Sequence, residues 1–214
     1  MFWSFQSLSE PLFASKSEGA KRMAKNPLGP GYVPQSQKAQ GPTNAYGVTP
    51  RHADNFIDAL QMAHSDLAFH SNGGNNESGV SFSRPGLLNG NRWGYRQVYE
   101  GPSKTARDQA GTISFEGGDT LHLHTKDGVA NASPEDIVRL HKRVMQYGDD
   151  NTVSVTDNHG NIAVFGRPDT LRKRGFTDDQ FMDYENEAGV REQLRKEKIG
   201  PGYIPFRKIV VPYR

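Results

Sequence analysis

The 214-residue sequence contains no cysteine. That absence excludes disulfides, thiolate zinc sites, iron–sulfur clusters and every cysteine nucleophile, so any chemistry falls to His, Asp, Glu, Ser, Lys, Arg or Tyr. Long apolar runs are also lacking: nothing approaches the ~18 residues of a membrane span. The opening Met1-Phe2-Trp3-Ser4-Phe5 has neither the basic start nor the apolar stretch of a secretory signal, and a soluble chain of unassigned compartment is expected. Apolar side chains are sparse at 34%. Adding Gly and removing Tyr gives about 41%, below the ~45–50% of ordinary globular chains, which allows one modest core rather than two full ones.

A large excess of one charge is missing as well, with 26 Lys and Arg against 24 Asp and Glu. The distribution is uneven, however. Residues 1–50 carry five cations against two anions, residues 51–166 ten against fourteen, and residues 167–214 eleven against eight. Basic ends around an acidic middle favour contact with an anionic partner, or between the ends of one copy and the middle of another. The chain pI of about 8.8 falls short of the strongly basic character of a dedicated nucleic-acid domain.

Residues 1–48 read as an extended, partly disordered arm, rich in Ser, Gln, Lys, Gly, Pro and Asn and without an apolar period. Its tip is different: Phe2, Trp3, Phe5, Leu8, Leu12 and Phe13 form a docking anchor for a partner or fold back on the body. At ~1.5–3 kcal/mol per buried large side chain, three aromatics would offset much of the entropy of ordering the segment.

Residues 49–214 read as a single compact α+β body. Thr49 as N-cap and Pro50 at the first position predict a helix through Phe56, Ile57, Leu60, Ala63 and Leu67 to about His70. Ser133, Pro134 and Asp136 predict a second, closed by Gly148. Thr177 and Gln180 predict a third, carrying Phe181, Tyr184 and Ala188 and stopped by Gly200-Pro201-Gly202. Seven short strands are expected: Val80 to Ser83, Trp93 to Tyr99, Thr112 to Phe115, Thr120 to Thr125, Thr152 to Thr156, Ile162 to Phe165 and Ile204 to Val211. Hairpins are expected through Glu116-Gly117-Gly118-Asp119 and Asp157-Asn158-His159-Gly160-Asn161. Together these predict a mainly antiparallel sheet with about three helices on one face, no strand–helix–strand alternation, and Pro205 marking the last strand as an edge.

The sharpest chemical candidate is Leu121-His122-Leu123-His124-Thr125. Strand alternation puts both imidazoles on one face about 7 Å apart, where they flank a phosphate, share a metal or simply face solvent. A zinc site needs a third ligand, for which the sequence offers only His159, His141 or an acidic group without a diagnostic spacing. The expectation is therefore no metal and no cofactor. Asp157 and Asn161 are one residue too close for a kinase catalytic loop, and a turn built from residues tolerant of positive φ explains the same segment. His64 and His141, each four residues after an apolar helix position, read as hydrogen-bonded core or boundary residues.

Two further features point to binding. Arg92, Trp93, Tyr95, Arg96 and Tyr99 interleave cations with aromatics as single-strand nucleic-acid binders do, and as an ordinary core strand does; Trp93, Tyr95 and Tyr99 are expected on one face. Gly29-Pro30-Gly31-Tyr32-Val33-Pro34 recurs as Gly200-Pro201-Gly202-Tyr203-Ile204-Pro205, differing by one methylene. Both copies should take the same small structure and fit one kind of groove, with strand addition at a sheet edge as the mechanism. The leading expectation is a non-enzymatic assembly or interaction protein that binds a protein partner or itself, with Phe2, Trp3, Phe5, Tyr32, Tyr203, Arg92, Trp93 and Arg96 as contact residues. The alternative is a small, metal-independent effector or toxin-like enzyme acting on nucleic acid or nucleotide, with His122, His124 and His159 in acid–base roles.

Overall fold

The computed structural model describes residues 44–71, 74–102, 118–125, 128–148, 150–200 and 202–212. The apolar tip, Tyr32 with its copy of the repeat, the expected strand at Thr112 to Phe115, and the turn residues Glu116 and Gly117 lie outside them. The elements in chain order are β1 (Asn44–Ala53), α1 (Phe56–His70), β2 (Ser78–Phe82), β3 (Trp93–Glu100), β4 (Asp119–Leu123), α2 (Pro134–Tyr147), β5 (Val153–Thr156), β6 (Ile162–Gly166), α3 (Pro168–Lys173), β7 (Met182–Asp183), α4 (Glu187–Lys196) and β8 (Arg207–Val211). The fold is α+β. The eight strands of the described residues form one sheet in the order β1-β3-β2-β4-β5-β6-β8-β7, antiparallel except where β4 and β5 run parallel.

That parallel pair makes β4–α2–β5 a strand–helix–strand crossover, contrary to the expected absence of one. Parallel neighbours cannot be joined by a tight turn, so the chain must cross a face of the sheet between them. Helices consequently cover both faces rather than one. Alternation along β6 displays the two layers: Ile162 and Val164 join a core with Phe56, Leu60, Leu67, Val80, Leu121 and Leu123 under α1, while Ala163 and Phe165 join Ile137, Leu140, Val144, Val190 and Leu194 under α2 and α4. The central strands are buried on both sides, so two modest cores share one sheet.

Several local expectations give way to tertiary context. Thr49 and Pro50 lie in β1, not at a helix start. Backbone pairing with β3 claims the segment, and Pro50 falls where the register slips between Gly47 and Arg51, on the outermost strand, where its missing N–H costs no ladder bond. The helix begins instead after Asn55, whose Oδ1 accepts from the Asp58 amide at 2.9 Å. Thr177 and Gln180 do form their reciprocal cap, but it closes one 3₁₀ turn at Asp178–Gln180; β7 follows, and α4 starts only after Asn186. Helix α3, unforeseen because it has six residues, carries Pro168 at its first position and Arg172 and Lys173 in its last turn. Pro205 precedes β8 rather than marking an edge, and β8 lies between β6 and the two-residue β7.

The second helix and the Asp157–Asn161 hairpin form as expected. Asp157 Oδ1 accepts the amides of His159 and Asn161, and Gly160 takes φ +85°, which favours glycine.

Candidate functional sites

Strand β4 runs out of the sheet centre with every residue buried. His122 shares the face of Thr120, toward α2, and is 6% exposed. His124 stands just past the strand end, with its amide still on the parallel ladder to Thr156 O at 2.9 Å. The pair therefore does not lie on a solvent-facing strand surface. The Gly128 amide donates to Thr125 O at 2.7 Å, and Gly128 lies against His124. A side chain at position 128 is excluded, since a Cβ there would lie 2.5 Å from His124 Cβ. The Val129 carbonyl stands 2.8 Å from His124 Nδ1, and because a carbonyl only accepts, that nitrogen carries a proton and Nε2 is turned toward His122.

The segment then enters α2 through Ser133. Asp136 Oδ2 accepts from the Ser133 amide at 2.9 Å and its hydroxyl at 2.7 Å, so the capping residue becomes a fixed carboxylate facing the histidines. His122 Nε2 is 3.2 Å from His124 Nε2 and 3.7 Å from Asp136 Oδ2; the rings tilt by 50°. Burial alone raises the Asp136 carboxyl, but the charges of His122 and His124, the Ser133 hydroxyl and Arg139 outweigh it and hold the group below the usual carboxylate range. One nitrogen from each histidine and one oxygen of Asp136 all lie within 4.8 Å of one another. Asp136 is the member that sequence reading missed. Its role as the third residue of α2 was legible, whereas the crossover that brings α2 back to the end of β4 was not.

The third histidine of the expected set stands apart. His159 donates its backbone amide to Asp157, in the hairpin whose Asn158 reaches His124 O at 3.4 Å. Hydrogen bonds from Asn161 and the His159 amide overcome burial and hold Asp157 below the ordinary range. His64 meets Thr156 Oγ1 at 3.0 Å, as a boundary histidine should, and burial lowers its pKa. His141 departs from expectation: it is fully buried, neither ring nitrogen has a hydrogen-bond partner among the described residues, and burial lowers its pKa.

The cation–aromatic stretch does not form a stacking platform. Between Ser83–Gly94 and Gly79–Tyr99, β3 carries one residue more than β2, and this bulge reverses the alternation along the strand. Trp93 and Tyr95 turn into the core under α1, while Tyr99 is only half-buried and bonds to Gln97. Arg92 pairs with Asp54 at 2.7 Å, and Arg96 stays exposed. At the bulge a groove of about 460 Å³ opens between His52, Arg84, Leu87, Asn89, Gly94 and Arg96. Arg84 also reaches the buried Asp119 at 3.0 Å, and both Arg84 and Arg96 are exposed.

Tyr203 of the repeated motif is half-buried against the second core, with the Arg191 guanidinium 4.3 Å over its ring and Phe206 at its edge. Ile204 packs against the same core. Phe2, Trp3, Phe5 and Tyr32 lie outside the described residues. No helix among the described residues is long and apolar enough to cross a membrane. Comparison with family models, with curated proteins and with solved structures returned no match.

Proposed function

We propose that the chain is a non-enzymatic assembly protein that associates with a second copy of itself along the outer edge of β1. The observation that carries this reading is the position of β1: it is the outermost strand of the eight, it follows directly on residues 1–43, and its outer side has no strand partner among the described residues. A free edge is a template for strand addition. The slip between Gly47 and Arg51 divides the edge into two regular stretches, Asn44–Gly47 and Arg51–Ala53. Beside it lies an aromatic surface in which Tyr46 stacks on His70 at 5.6 Å and Phe69, 84% exposed, meets the same imidazole edge-on.

The test is the mass of the full chain in solution by light scattering, beside a Tyr46→Lys/Phe69→Lys variant that alters only exposed side chains. A multiple of the 23.7 kDa chain mass, shifted toward one chain in the variant, is expected. A full chain that stays monomeric across the accessible concentration range refutes self-assembly.

The convergence of His122 and His124 favours a second reading, a metal-independent enzyme on nucleic acid or nucleotide with the pair as general acid and base. Its test is cleavage of labelled RNA and DNA in the presence of a chelator. Such catalysis predicts a loss of about 10²-fold or more in His124→Gln, and no cleavage by the full chain ends this reading.

A further inference from the structure

We infer that His122, His124 and Asp136 form a binding site for one divalent transition-metal ion of the zinc class. The inference is independent of the assembly reading. It also excludes general acid–base use of the pair, because a bound ion occupies both imidazole lone pairs.

Four observations carry it. The first is spacing. Zinc holds imidazole nitrogen at about 2.0–2.1 Å and carboxylate oxygen at about 2.0–2.2 Å, so two nitrogens on one tetrahedral ion stand roughly 3.3 Å apart, and a nitrogen and an oxygen roughly 3.4 Å. The structure has 3.2 Å between the Nε2 atoms and 3.7 Å from His122 Nε2 to Asp136 Oδ2. The second is orientation. The Val129 carbonyl accepts from His124 Nδ1 and so turns Nε2 toward His122, as the outer partners of metal-bound histidines orient their rings. Ser133 fixes the carboxylate through the same oxygen, Asp136 Oδ2, which accepts from its amide and its hydroxyl.

The third is construction. The three groups come from the end of β4 and the first turn of α2, and Gly128 lies so close to His124 that a Cβ there would stand 2.5 Å from His124 Cβ. The fourth is chemistry. Two nitrogens and one oxygen suit zinc, cobalt, nickel or iron(II), whereas calcium and magnesium call for all-oxygen shells. His122 and Asp136 are both less than a tenth exposed, so the ion would sit at the edge of the second core, where it ties β4 to α2. Three protein donors leave one position for water or an exogenous ligand.

Without metal, the same nitrogens are satisfied by one proton, donated from one Nε2 to the other. The experiment therefore has to separate ion from proton. The full chain, purified without a histidine tag, is titrated with Co²⁺ and followed by visible d–d absorption, with Zn²⁺ competition and a Zn²⁺-dependent thermal shift as parallel readouts. One Co²⁺ per chain is expected, displaced by Zn²⁺, with a higher melting temperature in Zn²⁺ that a chelator reverses. His124→Gln changes a half-buried ring, and Asp136→Asn keeps an acceptor for the Ser133 cap. Each should fold, by circular dichroism, and bind at least tenfold more weakly. Three outcomes overturn the site: no saturable binding, affinity unchanged in His124→Gln, which would place the ion on the other histidines, or a histidine NMR spectrum showing the shared proton undisturbed by excess Zn²⁺.

Discussion

Replacing Asp119 by Asn should remove a large share of this protein's stability with almost no change in side-chain shape. Asp119 is fully buried at the start of β4 and accepts five hydrogen bonds. Arg174 gives two at 3.0 Å, Arg84 gives one at 3.0 Å, and Thr152 gives its amide and its hydroxyl at 2.9 Å. Arg174 is itself buried, stacks over Trp93 at 5.1 Å, and donates to Asp150 O at 2.6 Å. The carboxylate thus joins β4 to the start of β5, the end of α3 and the segment after β2. Asn removes the charge and turns an NH₂ toward donors, leaving the buried Arg174 guanidinium without the carboxylate it is paired with. Breaking a buried pair from one side costs about 3–5 kcal/mol, a large share of the ~5–15 kcal/mol that holds a typical domain together.

The assay is urea unfolding by circular dichroism at neutral pH, with Arg174→Met and the double variant completing a cycle. The midpoint should fall in both single variants with little change in slope, and the double variant should lose much less than the two added together. A loss below about 1 kcal/mol in Asp119→Asn, or strict additivity, would refute the claim that this ion pair is an interior keystone and place it among surface pairs of small worth.

Gly94→Ala should cost about 1–3 kcal/mol and loosen β1, since its Cβ would meet Arg51 O at 2.6 Å and the His52 ring at 2.8 Å; unchanged stability and amide exchange in β1 would contradict the close approach. His141→Leu should be neutral or stabilising by up to about 2 kcal/mol in urea unfolding at neutral pH, because it removes two buried, unpartnered nitrogens; a loss above about 1 kcal/mol would show that they are satisfied. The same variant tests a pH dependence. The pKa of His141 is lowered from its ordinary 6.5 by burial, so below that pH the unfolded chain binds a proton that the folded chain does not, and stability falls with falling pH. His64 adds in the same sense, so His141→Leu should flatten the decline between about pH 7 and 5 without abolishing it, and an unchanged slope would count against burial as the cause.

Local signals were legible where the chain satisfies itself. Ser133, Pro134 and Asp136 start α2 because the cap, the fixed φ and the reciprocal carboxylate are all contained in four residues. The Asp157–Asn161 turn forms for the same reason, and the α+β class follows from short alternating strands among a few helices. The same kind of signal misled at Thr49-Pro50, where pairing with β3 offered the backbone better partners than a helix N-terminus. It misled in part at Thr177, whose cap is real but closes a single turn. Likewise the face of Tyr99 could not be read from period-two alternation, because one extra residue in β3, detectable only against β2, reverses it.

The candidate site divides along the same line. Sequence by itself determined that His122 and His124 project the same way from one strand end, that Asp136 caps a helix, and that no thiolate chemistry is available. Only the tertiary structure decided that these belong together, because the parallel pairing of β4 with β5 forces a crossover that returns α2 beside the strand it left. It likewise decided that Asp119, an unremarked turn residue in the sequence, meets Arg174 from 55 positions away. Hydrogen-bond geometry within a turn is encoded in adjacent residues, whereas the strand order that converts distant residues into neighbours is a property of the whole sheet.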